Sequence, residues 1–188
     1  NLYHIMDVGM FTSMLNNNEE STKSHFFSNT VIDFDSTFFE ASDLEINIEQ
    51  VTNDTYLKKF KPNSILIESE NLMHSFFRYY GSEQNSSLEV SVESYEDLTK
   101  NSSDRYEYIY PNVEFNKEFD ETNLPGSISL NSSLFQKQFD TNKTKQSLIT
   151  DIIYTSDTSF NDRGLSSDFK LLFKNPNIRE KAGSKNQS

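Results

Sequence analysis

The sequence predicts an α+β fold, mainly antiparallel strands with two or three short helices and long polar loops. Three observations lead there. Residues alternate with period two at Leu44–Glu49, Leu88–Val92 and Tyr106–Tyr110, which places the apolar members of each run on one face of a strand. Two other runs have helical spacing: Leu72, Met73, Phe76, Phe77 and Tyr80, then Leu165, Phe169, Leu172 and Phe173. The composition joins 16 Phe and 9 Tyr to a hydrophobic content of only 34%, so a modest core is expected with much of the chain in loops.

In chain order, Leu2–Leu15 is an apolar opening in which Leu2, Met6 and Met10 recur every four residues, against a helix-weakening Gly9. Asn16–Ser24 reads as a polar linker, and Phe26–Phe34 is β-prone. Lys61-Pro62-Asn63 marks a turn before a strand at Ser64–Glu68. Gly81 is placed to end the first helix, and Pro111 closes the tyrosine strand. Leu124-Pro125-Gly126 is a turn signal, and the β-branched content of Ser147–Tyr154 favours a strand. Ser166 or Ser167 starts the second helix and Pro176 stops it. Residues 1–174 are therefore expected to form a single interaction domain with loop insertions, and 175–188 a disordered polar tail. The expected core is Ile46, Ile48, Ile65, Ile67, Phe76, Val90, Val92, Tyr108, Ile152, Phe169 and Leu172.

The charge balance of 29 acidic against 17 basic residues has the wrong sign for neutralising phosphates, so no nucleic-acid partner is expected. No apolar run reaches the length of a spanning helix, from which no direct membrane insertion is expected. Cysteine is absent, which removes disulfides, thiolate metal sites and Cys nucleophiles. The sequons at Asn53, Asn85, Asn101, Asn131, Asn142 and Asn186 barely exceed the roughly four expected by chance from this much Asn, Ser and Thr. An intracellular location, cytoplasmic or nuclear, is favoured over the secretory route.

Catalytic signatures are missing. His4, His25 and His74 share no ligand spacing, and no phosphate-binding glycine motif occurs among the 5 glycines. The expectation is no enzyme, no catalytic residue, no cofactor and no metal. Tyr106, Tyr108 and Tyr110 suit packing better than base stacking, since their neighbours are acidic. Ser/Thr residues with an acid three positions on, such as Thr30 with Asp33 and Ser94 with Asp97, have the spacing of acidophilic phosphorylation sites.

The sharpest short motif runs from Asp35 to Asp43 (DSTFFEASD). It resembles the FFAT motif, an acidic tract around two phenylalanines that attaches proteins to VAP-type receptors of the endoplasmic reticulum. Phe38, Phe39, Glu40, Ala41 and Asp43 match the pattern, Thr37 stands where its first acid would be, and Asp35 extends the negative tract. The resemblance implies a protein-binding site at Asp35, Phe38, Phe39, Glu40, Ala41 and Asp43. The competing reading packs both rings into the chain's own core. The functional expectation is a non-catalytic adaptor or scaffold domain, a fragment or subunit of a larger assembly whose partner is another protein. The alternatives are a secreted or lumenal binding glycoprotein domain and a protein tethered by the FFAT-like motif.

Overall fold

The computed structural model describes residues 1–14, 20–100, 104–119, 125–140 and 142–182. It is almost entirely sheet, which corrects the α+β expectation: 71% of residues are strand and 3% helix. Eight long strands follow one another in the chain: β1 (Leu2–Met14), β2 (Glu20–Phe34), β3 (Ala41–Val51), β4 (Leu72–Glu83), β5 (Ser86–Asp97), β6 (Tyr106–Phe119), β7 (Gly126–Phe139) and β8 (Lys143–Ser156). A small hairpin, β9 (Ser159–Phe160) with β10 (Ser166–Ser167), interrupts the connection to β11 (Lys170–Lys181). Each long strand pairs antiparallel with its neighbours in sequence, giving one 9-stranded sheet in the order β1 to β8 and then β11. The one helix among the described residues, α1 (Tyr56–Phe60), has 5 residues and ends at Lys61, whose φ of 41° lets its N–H reach the Leu57 carbonyl.

Both predicted helices are strands. The residues 72–80 alternate as Leu72, His74, Phe76, Arg78, Tyr80 on one face and Ser75, Phe77, Tyr79 on the other. Runs of paired aromatics satisfy helical and strand spacing alike, and pairing on both sides by β3 and β5 decides for the strand. The 165–173 run divides between β10 and β11. Residues 175–181, expected in the disordered tail, continue β11, while 183–188 lie outside the described residues. The opening is β1 rather than a helix, Glu20–Ser24 of the expected linker belong to β2, and Ser64–Glu68 is not a strand. Leu124 of the expected turn, Asn101 and Asn186 also fall outside the described residues.

The sheet has no second layer. The accessible surface is 13271 Å², against about 9,300 Å² for a compact protein of this mass. Among the described residues the buried apolar cluster lies where α1 folds onto the sheet: Phe27, Val51, Tyr56, Leu57, Met73 and Leu98, with Phe60, Leu66 and Ile67 packed against it. None of the eleven residues of the expected core reaches that degree of burial; Ile65 is 83% exposed and Val92 49%. The period assignments placed most of these residues on strands, but six of them share the uncovered apolar face, Phe76 and Leu172 lie on the other face, and Ile65, Ile67 and Phe169 lie outside the long strands.

Candidate functional site

In an antiparallel sheet, directly paired residues point to the same side, so the register sorts every side chain by face. One row runs Leu2, Ile32, Leu44, Tyr79, Val90, Val113, Leu134 and Leu148 across eight strands. Its face also carries Met6, Val8, Phe26, Ile46, Ile48, Phe77, Leu88, Val92, Phe115, Leu130, Ile152 and Phe173. The adjacent row on the other face reads Tyr3, Val31, Glu45, Arg78, Ser91, Asn112, Phe135, Ser147 and Ile178. Asp43, Glu49, His74, Glu89, Glu93, Glu107, Lys137, Lys145, Asp151 and Lys174 share that second, polar face.

Exposure shows which way the sheet curves. Phe26, Phe77, Val92, Leu134, Leu148 and Ile152 on the apolar face are exposed, whereas Phe76, Tyr80, Ile109, Phe135 and Ile149 on the polar face are only part-exposed. Side chains splay apart on a convex surface and crowd on a concave one. Over most of the sheet this is the pattern of an apolar face curved outward and a charged face curved inward, here named convex and concave, although on β6 Glu114, Asn116 and Glu118 of the charged face are more exposed than Val113 and Phe115.

Charged residues of the convex face keep to strand ends: Glu83, Glu96, Lys117, Arg179 and Lys181. Polar side chains within the apolar zone partner one another across strands. His4 Nδ1 lies 2.8 Å from Thr30 Oγ1, Ser132 Oγ 3.4 Å from Thr150 Oγ1, and Ser42 Oγ 3.3 Å from Tyr79 Oη. Tyr106 and Tyr108 stack at 6.2 Å at one margin, and Tyr106 and Tyr110 donate outward to Glu96 and Gln138.

The apolar zone also drifts against the register. It covers Leu2–Met10 on β1, Leu44–Ile48 on β3, Leu88–Val92 on β5, Leu148–Tyr154 on β8, and Leu171–Phe173 with the preceding Phe169 at β11. Traced across the paired rows, the shift is about 1.3 residues per strand, or about 4.4 Å for each ~4.8 Å step across the sheet. A level belt on this sheet therefore means strands tilted by about 40° to the belt's normal. The β5–β6 and β6–β7 register shifts, at Ser91/Glu93 and Ile109/Asn112, hold Pro111 where a missing N–H does no harm to the ladder.

The concave face carries paired charges, although Arg78 Nε and Asp151 Oδ1 are buried without a hydrogen-bond partner. Glu93, 9% exposed, accepts from Ser91 Oγ and Tyr95 Oη, both at 2.7 Å, and lies 3.1 Å from His74 Nε2. The His74 ring stacks on Tyr95 at 4.2 Å. Arg78 sits between Glu45 at 3.4 Å and Glu89 at 3.3 Å, Lys137 pairs with Glu107 at 2.6 Å, and Lys174 with Asp151 at 3.2 Å. Among the described residues, no cluster of three or more His, Cys, Asp or Glu is arranged to hold a metal ion.

Residues 52–71, between β3 and β4, turn back onto the polar face's apolar corner. Tyr56 and Leu57 are buried there, Tyr56 Oη lies 3.0 Å from His25 Nδ1, and Phe60 packs on Phe11 at 4.1 Å. Gly9 leaves the room for this, because a Cβ there would run into the His25 ring. Arg105 fastens the segment from across the sheet end, donating to Asp54 at 2.7 Å and Glu96 at 2.6 Å. Its hydrogen bond holds the Asp54 carboxyl below the usual carboxylate range.

The FFAT-like residues are divided. Asp35, Phe38, Phe39 and Glu40 lie in the β2–β3 connection, where Phe38 is 81% exposed. Phe39 is half-buried against Gly81 and faces Tyr79 at 6.5 Å. Ala41 and Asp43 belong to β3, hydrogen-bonded into the sheet beside β4. The signal sequence reasoning missed was already present in the alternating runs: their apolar members were assigned to a core, while the polar members between them were left without a role.

No protein-family model, curated protein or solved structure matches the chain.

Proposed function

We propose that this sheet is part of the wall of a transmembrane β-barrel, with the convex apolar belt in lipid and the concave charged face lining an aqueous lumen. The observation that carries the reading is the inverted polarity of the curved sheet: the uncovered, convex side is the apolar one. The longest stretch, Leu2 to Met10, spans about 21 Å along the belt normal at a tilt of about 40°, near the ~25 Å apolar band of such barrels, while Leu44–Ile48 and Leu88–Val92 cover about 10 Å each; the tilt falls within the usual range. Tyr106, Tyr108, Phe119 and Phe34 stand near the margins, where aromatic girdles meet the interface. Up-and-down pairing of long strands is the topology of this class.

The function is then a conduit: enclosing a polar passage, with residues 52–71 folded into it as a partial obstruction. The sequence-level argument against membrane insertion concerned helices, and no helix here is long and apolar enough to cross a membrane. A strand wall needs only alternate residues to be apolar. Since β1 and β11 do not pair with each other, closure would require further strands on both edges.

The chain contains no Trp, so single reporters can be introduced cleanly. Folded into phosphatidylcholine vesicles, V90W should be quenched by lipids brominated along their acyl chains, while S133W on the concave face should not. Equal quenching at the two positions would overturn the reading. So would a chain that stays folded and monomeric in buffer and ignores vesicles, which would favour a convex face packed on a soluble protein partner.

A further inference from the structure

The convex face carries a groove at β7, β8 and β11. Two neighbouring rows form its sides: Leu134 and Leu148 on one, Gln136, Gln146 and Arg179 on the other, with Pro111 closing the β6 end. Its volume is about 460 Å³. The two sides differ in depth as well as polarity. On β7 and β8 the apolar belt is centred between Leu148 and Ile152, so Leu134 and Leu148 lie within it. The Gln136–Gln146–Arg179 row lies one step beyond, and Arg179 stands roughly 18 Å from the belt's middle, the level of lipid headgroups.

The chemistry of the outer side is uniform. Gln146 donates to Gln136 at 2.5 Å, Gln138 and Thr144 follow, and Lys181 repeats the positive charge two residues beyond Arg179. Within these strands no acid shares this part of the convex face: Asp151 and Glu180 point to the concave side, and Asp140, in the turn just past Gln138, pairs with Lys143 at 3.8 Å. The other convex-face cation, Lys117, lies at the opposite margin. A guanidinium flanked by amide groups, with aliphatic side chains just inboard, matches a phosphate joined to an acyl chain.

We infer that this groove is a binding site for an anionic phospholipid, with Arg179 on the phosphate, the Gln146 and Gln136 amides beside the headgroup, and the first acyl carbons over Leu148 and Leu134. The inference rests on the membrane-wall reading, because only there do the two sides fall at the depths of headgroup and chain. A surface of this kind attracts anionic lipid both by its local positive field and by direct hydrogen bonding.

The test uses the full chain in vesicles of phosphatidylcholine with and without phosphatidylglycerol, then extracted gently and weighed with its retained lipid by native mass spectrometry. The expected result is selective retention of phosphatidylglycerol, weakened about tenfold in R179Q and unchanged in K170Q, whose lysine is on the other face of the same strand. Free glycerol phosphate at equal concentration should not compete. Equal retention by wild type and R179Q, retention of phosphatidylcholine to the same degree, or full competition by glycerol phosphate would each overturn the groove while leaving the wall intact. Failure of the chain to associate with vesicles of either composition would overturn the wall and the groove together.

Discussion

The sharpest consequence of the two-faced sheet is a depth-dependent penalty for charge on one side only. Val90 lies at the middle of the belt on β5, between Leu88 and Val92, and is paired with Tyr79 and Val113. The nearest charge on the same side of that strand is Glu96, six residues and about 15 Å along the belt normal away. V90R therefore places a guanidinium where snorkelling cannot fully reach water. At mid-plane the cost is about 2–4 kcal/mol, or roughly 30- to 900-fold in the ratio of inserted to uninserted chain. S86R, on the same face but about 10 Å nearer the margin, should cost about 0–1 kcal/mol. S133R is on the concave face opposite Glu114 and should stay within about 0.5 kcal/mol of wild type. Urea titration of folding into phosphatidylcholine vesicles, followed by tyrosine fluorescence and far-UV circular dichroism, measures all three. If V90R and S133R shift the midpoint equally, or V90R and S86R do, the convex face is not in lipid.

Other perturbations test the inward-folded segment and the β2–β3 loop. Leu57 is 1% exposed in the apolar cluster at α1, so L57A should destabilise by about 2–5 kcal/mol and open Lys58 and Lys59 to trypsin before the sheet itself unfolds. G9A should loosen the same segment at a cost of about 1–3 kcal/mol, because its methyl must displace His25, and trypsin sensitivity at those lysines again reports it. Asp54 has its folded pKa depressed by Arg105, so its contribution is complete above the ordinary carboxylate range and is lost as pH falls through the depressed value. Proteolysis of residues 52–71 should accordingly quicken only in strongly acidic solution with an acid-stable protease, and D54N should remove that pH dependence. Phe38 is free of the fold, so F38A should change stability by less than about 0.5 kcal/mol, whereas F39A should cost about 1–3 kcal/mol through its contact with the β4 surface; chemical denaturation separates them.

Strand positions were legible wherever alternation was clean. Leu44–Glu49, Leu88–Val92 and Tyr106–Tyr110 are all in strands, as are Phe26–Phe34 and Ser147–Tyr154. The helix at 72–80 failed because Met73, Phe76, Phe77, Tyr79 and Tyr80 put apolar residues on both sides of β4, so no period could be read from them. The α1 corner depends on pairs far apart in sequence, such as Phe11 with Phe60 and Arg105 with Asp54, for which local patterns carry no signal. Curvature was equally out of reach. Alternation reveals two faces, but which of them is convex depends on how eight strand pairings accumulate twist and shear.

If the sheet is a membrane wall, composition is a poor guide to it for a physical reason. A mean hydropathy of -0.69 and a net charge of -12 would exclude a chain from a membrane if it crossed as helices, where nearly every residue in a span meets lipid. In a strand wall only every second residue does. The intervening residues are free to be charged, and here they are: Glu45, Arg78, Glu89, Glu93, Glu107 and Lys137 lie between apolar neighbours on the same strands. Loops such as Asp35–Glu40 add further acids without touching the belt. Averaging over positions therefore cancels the two faces against each other, and the average describes neither. The membrane-wall proposal rests instead on the separation itself: charges confined to one phase of the alternation, kept to strand ends on the other, and an apolar phase left uncovered.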